Sequence, residues 1–462
     1  MPELNGDDTI VAVATPPGEG GIAVIRVSGK QAISLVEAFF NPSKSGNLRD
    51  QHTHTIHHGF FSDKKNERID EVLVNLFKSP QSFTGQDVVE INCHGGMRIT
   101  RRILETLVRG GARPAEPGEF TKRAFLNGKI DLTQAEAVLD LIRAKSDASL
   151  ETALGQLQGK LSERIEKLKE ALLKISAHLE ASLDFPDERL EVSSREVCLK
   201  EIEEVQKEIH LLRGSFERGL ALREGPVTVI IGRPNVGKSS LLNALLEKDR
   251  ALVSSIPGTT RDALEESLEI TGFSVRLVDT AGLSISARDE LDRMGIARTE
   301  TYLKEGQLFL FVVDGSTPWT REDELIFSKL HGKNFLVVVN KSDLSRQLDW
   351  KEIRSFESQE KICRISCRTG AGLRDLEKKI ERELLQTKPA QSLVLTHLRH
   401  KLAVEKAFDL LDASRKTLEQ NDSIEFVLVD LKAAIEALRE LIGEVYSEDL
   451  LDVIFHEFCV GK

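Results

Sequence analysis

Residues 227–240 read VTVIIGRPNVGKSS. An uncharged run rich in β-branched residues ends at a glycine-bounded loop, and the loop opens into the helical pattern SLLNALLEK. This is a strand–loop–helix unit. From Gly232 to Ser239 the loop satisfies GxxxxGK[ST] in the context that motif requires. Backbone N–H groups across Asn235, Val236, Gly237, Lys238, Ser239 and Ser240 curl around phosphate oxygens. Lys238 reaches the β and γ oxygens, and Ser239 takes a place on Mg²⁺.

Three more signals follow the loop in order. Asp279, Thr280, Ala281 and Gly282 (DTAG) end a strand, bringing a carboxylate towards Mg²⁺ and an N–H towards the γ-phosphate. Asn340, Lys341 and Asp343 (NKSD) end another. An ionised Asp accepts from two N–H groups, which guanine presents at N1 and N2 and adenine does not. Ser366, Cys367 and Arg368 end the next strand, where a backbone N–H reaches the guanine oxygen. Each tetrapeptide alone is a weak signal. In this order and spacing they indicate a guanine-nucleotide domain. Between loop and DTAG lie Ser254, Ser255, Ile256, Pro257, Gly258, Thr259 and Thr260. Thr260 is the expected Mg²⁺ and γ-phosphate contact, with Thr259 as the alternative. The position after DTAG, where Ras-like proteins carry a water-orienting Gln, is Leu283, which neither donates nor accepts. Another residue must position the attacking water, and Asp289, Glu290 and Asp292 stand nearby.

The runs VTVII, FSVRLVDT, LFLFVVDG, NFLVVVN and KICRISC are nearly continuous in apolar residues, with helical stretches between most of them. That alternation predicts a parallel sheet covered on both faces. On the N-terminal side, Leu150, Leu154, Leu157, Leu161, Ile165, Leu168, Leu172, Ile175 and Leu179 step by three or four residues, the period of one helix face. A further helix is expected over about Arg195–Gly214. The segment from about Val394 is helical again and ends in SEDLLDVIFHEF, with Ser447 as N-cap. Earlier still, TIVAVA, IAVIRV, EVLVNLF and VVEIN read as strands, and QAISLVEAFF and MRITRRILETLVRGG as helices. The expected fold is thus multidomain, α+β and α/β. An N-terminal α+β domain spans 1–119, a discontinuous helical domain spans 120–216 plus 386–462, and an α/β nucleotide domain inserted into it spans 217–385.

With Lys+Arg 63 against Asp+Glu 74, the net charge of −11 argues against a general nucleic-acid coat. Five cysteines form no CxxC pair, so a reducing, cytoplasmic setting is expected. The N-terminus carries no secretory pattern, and no stretch approaches the length of a membrane span.

GRPNVGKSS, PGTTRD, DTAGL and NKSD together resemble the Era-like GTPases. TPPGEGGIAVIRVSG, SFTGQDVVEINCHGG, EPGEFTKRAFLNGKIDLTQAEAV, DFPDE and the terminal FCVGK narrow the resemblance to the bacterial and organellar tRNA-modification GTPase family called MnmE or TrmE. The resemblance implies a homodimer joined through an N-terminal domain that binds a formyl-tetrahydrofolate. It implies a separate FAD-dependent partner, MnmG (GidA), with which carboxymethylaminomethyl or aminomethyl groups are built at C5 of the wobble uridine of tRNA. The family's folate contacts fall on Arg26, Glu90, Lys129 and Lys462. Its K⁺ ligands match Asn235, Ser254, Ile256 and Thr259. Its catalytic Glu aligns with Asp292 after a one-residue insertion, with Glu290 as fallback. The resemblance places Cys459 beside the folate as a thiol of the modification chemistry, whereas composition alone reads it as a small buried hydrophobe. Two rival functions are a ribosome-assembly GTPase switch and a folate-dependent one-carbon transferase regulated by GTP.

Overall fold

Strand β8 (Val227–Ile231) is buried at every position, as expected of a central strand covered on both faces. It belongs to a computed structural model that describes residues 8–184, 195–250, 265–270, 273–279, 306–345, 347–348, 361–385, 393–420 and 423–462. Further described strands of its sheet are β9 (Glu265–Ile270), β10 (Phe273–Asp279), β11 (Leu308–Asp314), β12 (Phe335–Asn340) and β13 (Ile362–Arg364). Their order is β13-β12-β11-β8-β10-β9. All neighbours are parallel except β9, which runs antiparallel to β10. The charged, alternating EESLEI of this edge strand offers no apolar run, so its sequence does not announce a strand.

Alternate residues supply opposite faces. Ile230, Leu310, Val312, Leu336 and Val338 pack with Leu241 and Leu245 of α9 (Lys238–Arg250) and with Leu373, Leu376 and Ile380 of α11 (Leu373–Leu385). Val229, Ile231, Phe311, Val313 and Val337 pack with Ile326 and Phe327 of α10 (Arg321–Ser328). A Thr320–Asp323 capping box fixes the start of α10. In the register Asp279 lies opposite Ile230, and Asp314 opposite Asn340. The carboxyl ends of four strands therefore finish at one edge, where ligands of open α/β sheets bind.

The chain divides into two units. This sheet lies in the unit of residues 140–155 and 203–408, and the other unit comprises 1–139, 156–202 and 409–462. The latter holds a seven-stranded sheet ordered β3-β4-β5-β6-β2-β1-β7. Its strands are β1 (Ile10–Val13), β2 (Ile22–Ser28), β3 (Phe40–Pro42), β4 (Thr55–Ser62), β5 (Arg68–Phe77), β6 (Val88–His94) and β7 (Arg113–Pro114). Strands β3, β4 and β7 were not legible in advance. The adjacent His57 and His58 interrupt the apolar residues of TIHHGFFS, and Arg113–Pro114 is two residues long. One sheet face, with Ile25, Val27, Val74, Leu76 and Ile91, is sealed by Ile33 and Val36 of α1 (Ala32–Glu37) and by Ile103 and Leu107 of α2 (Met97–Gly110).

The expected single stripe from Leu150 to Leu179 is two helices. These are α5 (Asp147–Leu157) and α6 (Lys160–Asp184), separated by a turn at Gln158 and Gly159. The stripe is buried from Leu161 onward, and Leu150 and Leu154 are exposed. Helix α6 packs against α13 (Ile424–Ile442), whose Val427, Leu431, Leu438 and Leu441 are buried. The last helix, α14 (Glu448–His456), is capped by Ser447, whose side chain accepts from the Leu450 N–H.

Candidate functional site

The phosphate loop grows from the buried end of β8. Asn235 is left-handed (φ 64°), and Gly237 follows at φ 100°. A side chain at Gly237 would meet Asn340 Nδ2 at 2.3 Å, so only glycine fits between loop and guanine strand. Asn340 is the bridge. Its Nδ2 donates to the Val236 carbonyl at 2.9 Å, and its Oδ1 accepts from the Cys367 N–H at 3.2 Å. Lys238 is buried, with Nζ donating to the carbonyls of Gly232 (2.9 Å) and Arg233 (3.0 Å). Those bonds hold an ammonium inside the loop's curve. Ser239 and Ser240 stand exposed on the first turn of α9.

Asp343 is exposed and accepts from Ser366 Oγ at 2.6 Å. That bond, then its own backbone N–H, keep its carboxyl below the usual range, aided by the charges of Arg368 and Lys341. An acceptor-only carboxylate is thus ready for a donor pair such as N1–H and N2–H of guanine. Thr369 donates its N–H to Ser366 Oγ, tightening the Ser366–Arg368 turn. The structure brings together Asn235, Val236, Lys238, Asn340, Lys341, Asp343, Ser366 and Cys367. Asp279 is placed by its backbone at the end of β10. Ser254, Ser255, Ile256, Pro257, Gly258, Thr259, Thr260, Thr280, Ala281, Gly282, Glu290 and Asp292 lie outside the described residues.

A second constellation occupies the other unit. Arg26 and Glu90 are register partners on β2 and β6, and Arg26 Nε meets Glu90 Oε1 at 2.9 Å. Arg26 Nη1 donates to the Gly461 carbonyl at 3.2 Å, across 435 positions of sequence. The chain's last residues are stitched to the segment before α3 (Glu119–Leu126). Pro117 bridges Val460, and the Phe120 N–H donates to the Lys462 carbonyl at 3.2 Å. Gly461 is left-handed (φ 98°), and a side chain there would meet the Val13 carbonyl at 2.5 Å. Lys462 is pushed below the usual lysine range by burial and then by the charge of Arg26, against Glu90 and Cys459. Arg26 also lies 5.8 Å from the Phe83 ring centre and 5.6 Å from that of Phe120. Phe83 and Lys129 line an open cleft of about 630 Å³ with His54, Phe77, Gln81 and Ser82. Lys129 Nζ donates to the Pro80 carbonyl at 3.1 Å. Cys459 is exposed, which overturns its reading as a buried hydrophobe.

A family model described as MnmE helical domain matches residues 132–459, and one described as GTP-binding protein TrmE N-terminus matches residues 9–129. The chain belongs to the MnmE family. The tRNA modification GTPase MnmE of Alkaliphilus metalliredigens is 44% identical over 459 residues, covering 99% of both chains. That of Moorella thermoacetica is 45% identical over 463 residues, covering 99% of this chain and 100% of its own. That of Heliobacterium modesticaldum is 45% identical over 465 residues, covering 98% and 99%.

The residues present fit the groups MnmE membership suggests. The cleft offers aromatic walls and an ammonium, and beside it stand the Arg26 guanidinium, the Lys462 ammonium and the Glu90 carboxylate. A flat heterocycle bearing carboxylates suits both. Around the nucleotide, Ser239 at a helix start suits Mg²⁺. Phe83 and Phe120 lie within quoted motifs, but a single aromatic residue carries no sequence signal that it flanks Arg26. Sequence reasoning missed the Gly461 carbonyl, which as a backbone group carries no sequence signal, and Asp314.

Proposed function

We propose that this chain hydrolyses GTP as the GTPase component of a tRNA-modification system acting at C5 of the wobble uridine. The observation that carries the proposal is Asn340, which ties the phosphate loop to the turn beside Asp343 and so sets a phosphate site and a guanine site at one sheet edge. On nucleotide binding, Lys238 exchanges the carbonyls of Gly232 and Arg233 for phosphate oxygens. Asp343 accepts from the base, and Cys367 N–H supports the base oxygen. Ser239 and Thr260 hold Mg²⁺, which neutralises phosphate charge when bound. Asn235, Ser254, Ile256 and Thr259 hold K⁺. Asp292, or Glu290 in its place, orients the attacking water.

In the other unit Arg26, Lys129 and Lys462 take the carboxylates of a formyl-tetrahydrofolate, and Glu90 takes donors of its ring. Cys459 serves the modification step. The chain works as a homodimer with an FAD-dependent partner of the MnmG type, which presents the tRNA, and it does so in the cytoplasm. No described helix is long and apolar enough to cross a membrane. The functional division follows residues 1–119 for folate and dimerisation, 217–385 for GTP, and 120–216 with 386–462 as the helical link.

Mass analysis of tRNA from a deletion strain tests this reading. Loss of the C5 substituent from wobble uridine is expected. Intact tRNA with defective ribosome assembly would point instead to a switch GTPase.

A further inference from the structure

Asp314 ends β11 directly opposite Asn340 and is 6% exposed. One carboxylate oxygen accepts from the backbone N–H of Ser316 (2.9 Å) and from its hydroxyl (2.6 Å). The other accepts from Lys341 Nζ at 2.7 Å. The same ammonium donates to the Asn235 carbonyl at 3.0 Å. Asn235 and Lys341 are both left-handed, at φ 64° and 62°, conformations that non-glycine residues keep only where their surroundings hold them. One ammonium thus spans the two strained backbones, and one buried carboxylate holds it there.

We infer that Asp314 is a positioning residue of the nucleotide site, acting through Lys341 to fix the Asn235 carbonyl and with it the curve of the phosphate loop. The inference rests on the guanine-nucleotide reading above. Both Asp314 carboxylate oxygens are turned to Ser316 and Lys341, so the residue acts by deciding where the Lys341 ammonium rests. Without the carboxylate, water competes for that ammonium, the Asn235 carbonyl loses its donor, and the loop is no longer shaped before nucleotide arrives. Preorganisation of this kind sets affinity more than it sets the chemical step. The neutral tie from Asn340 to Val236 remains, so the loop loosens without coming apart.

The test is a double-mutant cycle read by equilibrium binding of fluorescent GDP and by steady-state GTP turnover. Asp314→Ala is expected to raise the GDP Kd and the KM for GTP about tenfold, with kcat changed by no more than about threefold. Lys341→Ala is expected to match it, and the double variant to be no worse than either single within about a factor of two. Ser316→Ala removes a donor to the same carboxylate without touching Lys341, and should leave GDP affinity unchanged. Multiplicative losses in the double variant would overturn the inference, because Asp314 would then act independently of Lys341. So would an Asp314→Ala protein that loses kcat at unchanged KM. If Asp314→Ala fails to fold by circular dichroism, Asp314→Asn, which keeps the volume and an acceptor for Ser316, carries the same comparison. A wild-type protein that binds no GDP would overturn the guanine-nucleotide reading itself.

Discussion

Asp343 and Glu119 are both carboxylates held ionised, one for recognition and one for the fold. At Asp343 an amide in place of the carboxylate presents a donor where guanine also presents one. Asp343→Asn should therefore exchange guanosine for xanthosine nucleotides, a switch of about a hundredfold or more in relative affinity. Competition binding with GDP and XDP checks it, and unchanged GDP affinity would remove Asp343 from base recognition. Glu119 is buried against Arg113 at 2.5 Å and Arg123 at 2.9 Å. Burial is the largest influence and pushes its carboxyl upward, but Arg113, the Glu116 N–H and Arg123 together bring it below the usual glutamate range. A depressed value in the fold means stability that is complete above the unfolded value and is lost as pH falls through the folded one. Glu119→Gln should cost about 3 kcal/mol at pH 7, since two guanidinium groups lose their buried anion. That cost should shrink in acid below about pH 4.5, and urea melts across pH measure it. Legibility varies at this scale. Lys238, Asn340 and Asp343 were readable because their spacing is the chemistry. Asp314 was not, because an Asp-Gly after an apolar run reads as a turn, and only the structure shows where its oxygens point.

The tail after α14 is tied down on several sides. The helix is seated by Leu451, Phe455 and Phe458, which pack with Phe125, Leu132 and Val138. Lys122 also pairs with Asp452 at 2.7 Å. Beyond it the chain has few options, since Gly461 is fixed at φ 98° between Arg26 and Val13. Gly461→Ala should lift the last residues from Arg26 while leaving α14 in place. The expected outcome is loss of folate binding by calorimetry and of tRNA modification, with GTP turnover within about twofold of wild type. Retained folate affinity would show that the tail does not complete the cleft. The amphipathic run of α14 and its Ser447 cap were plain in the sequence. The sharp end at Gly461 was not, because nothing in Cys-Val-Gly-Lys marks a left-handed turn against a strand 448 positions upstream of it, at Val13.

At the scale of the whole molecule, strands buried on both faces announced themselves as uninterrupted apolar runs, and so the nucleotide sheet was legible almost entire. The N-terminal sheet was half legible. One face follows the alternation expected of a strand, while the other carries Ile22, Ile56 and Leu73 exposed among histidines and acids, which blurs the pattern. GTP turnover should rise at least about tenfold in KCl over NaCl at equal ionic strength, because a cation seated by Asn235 offsets charge that develops between the phosphates. Equal rates would exclude Asn235 from that role. The bond from Arg26 to Gly461 has a consequence for synthesis. Arg26 is translated early, and its acceptor emerges 435 positions later. All seven strands of the N-terminal sheet lie within residues 10–114, so the sheet is made long before the acceptor of Arg26 is. A ribosome that stalls or meets a nonsense codon before Gly461 therefore releases a chain whose Arg26 has no such acceptor, whatever else of it has folded.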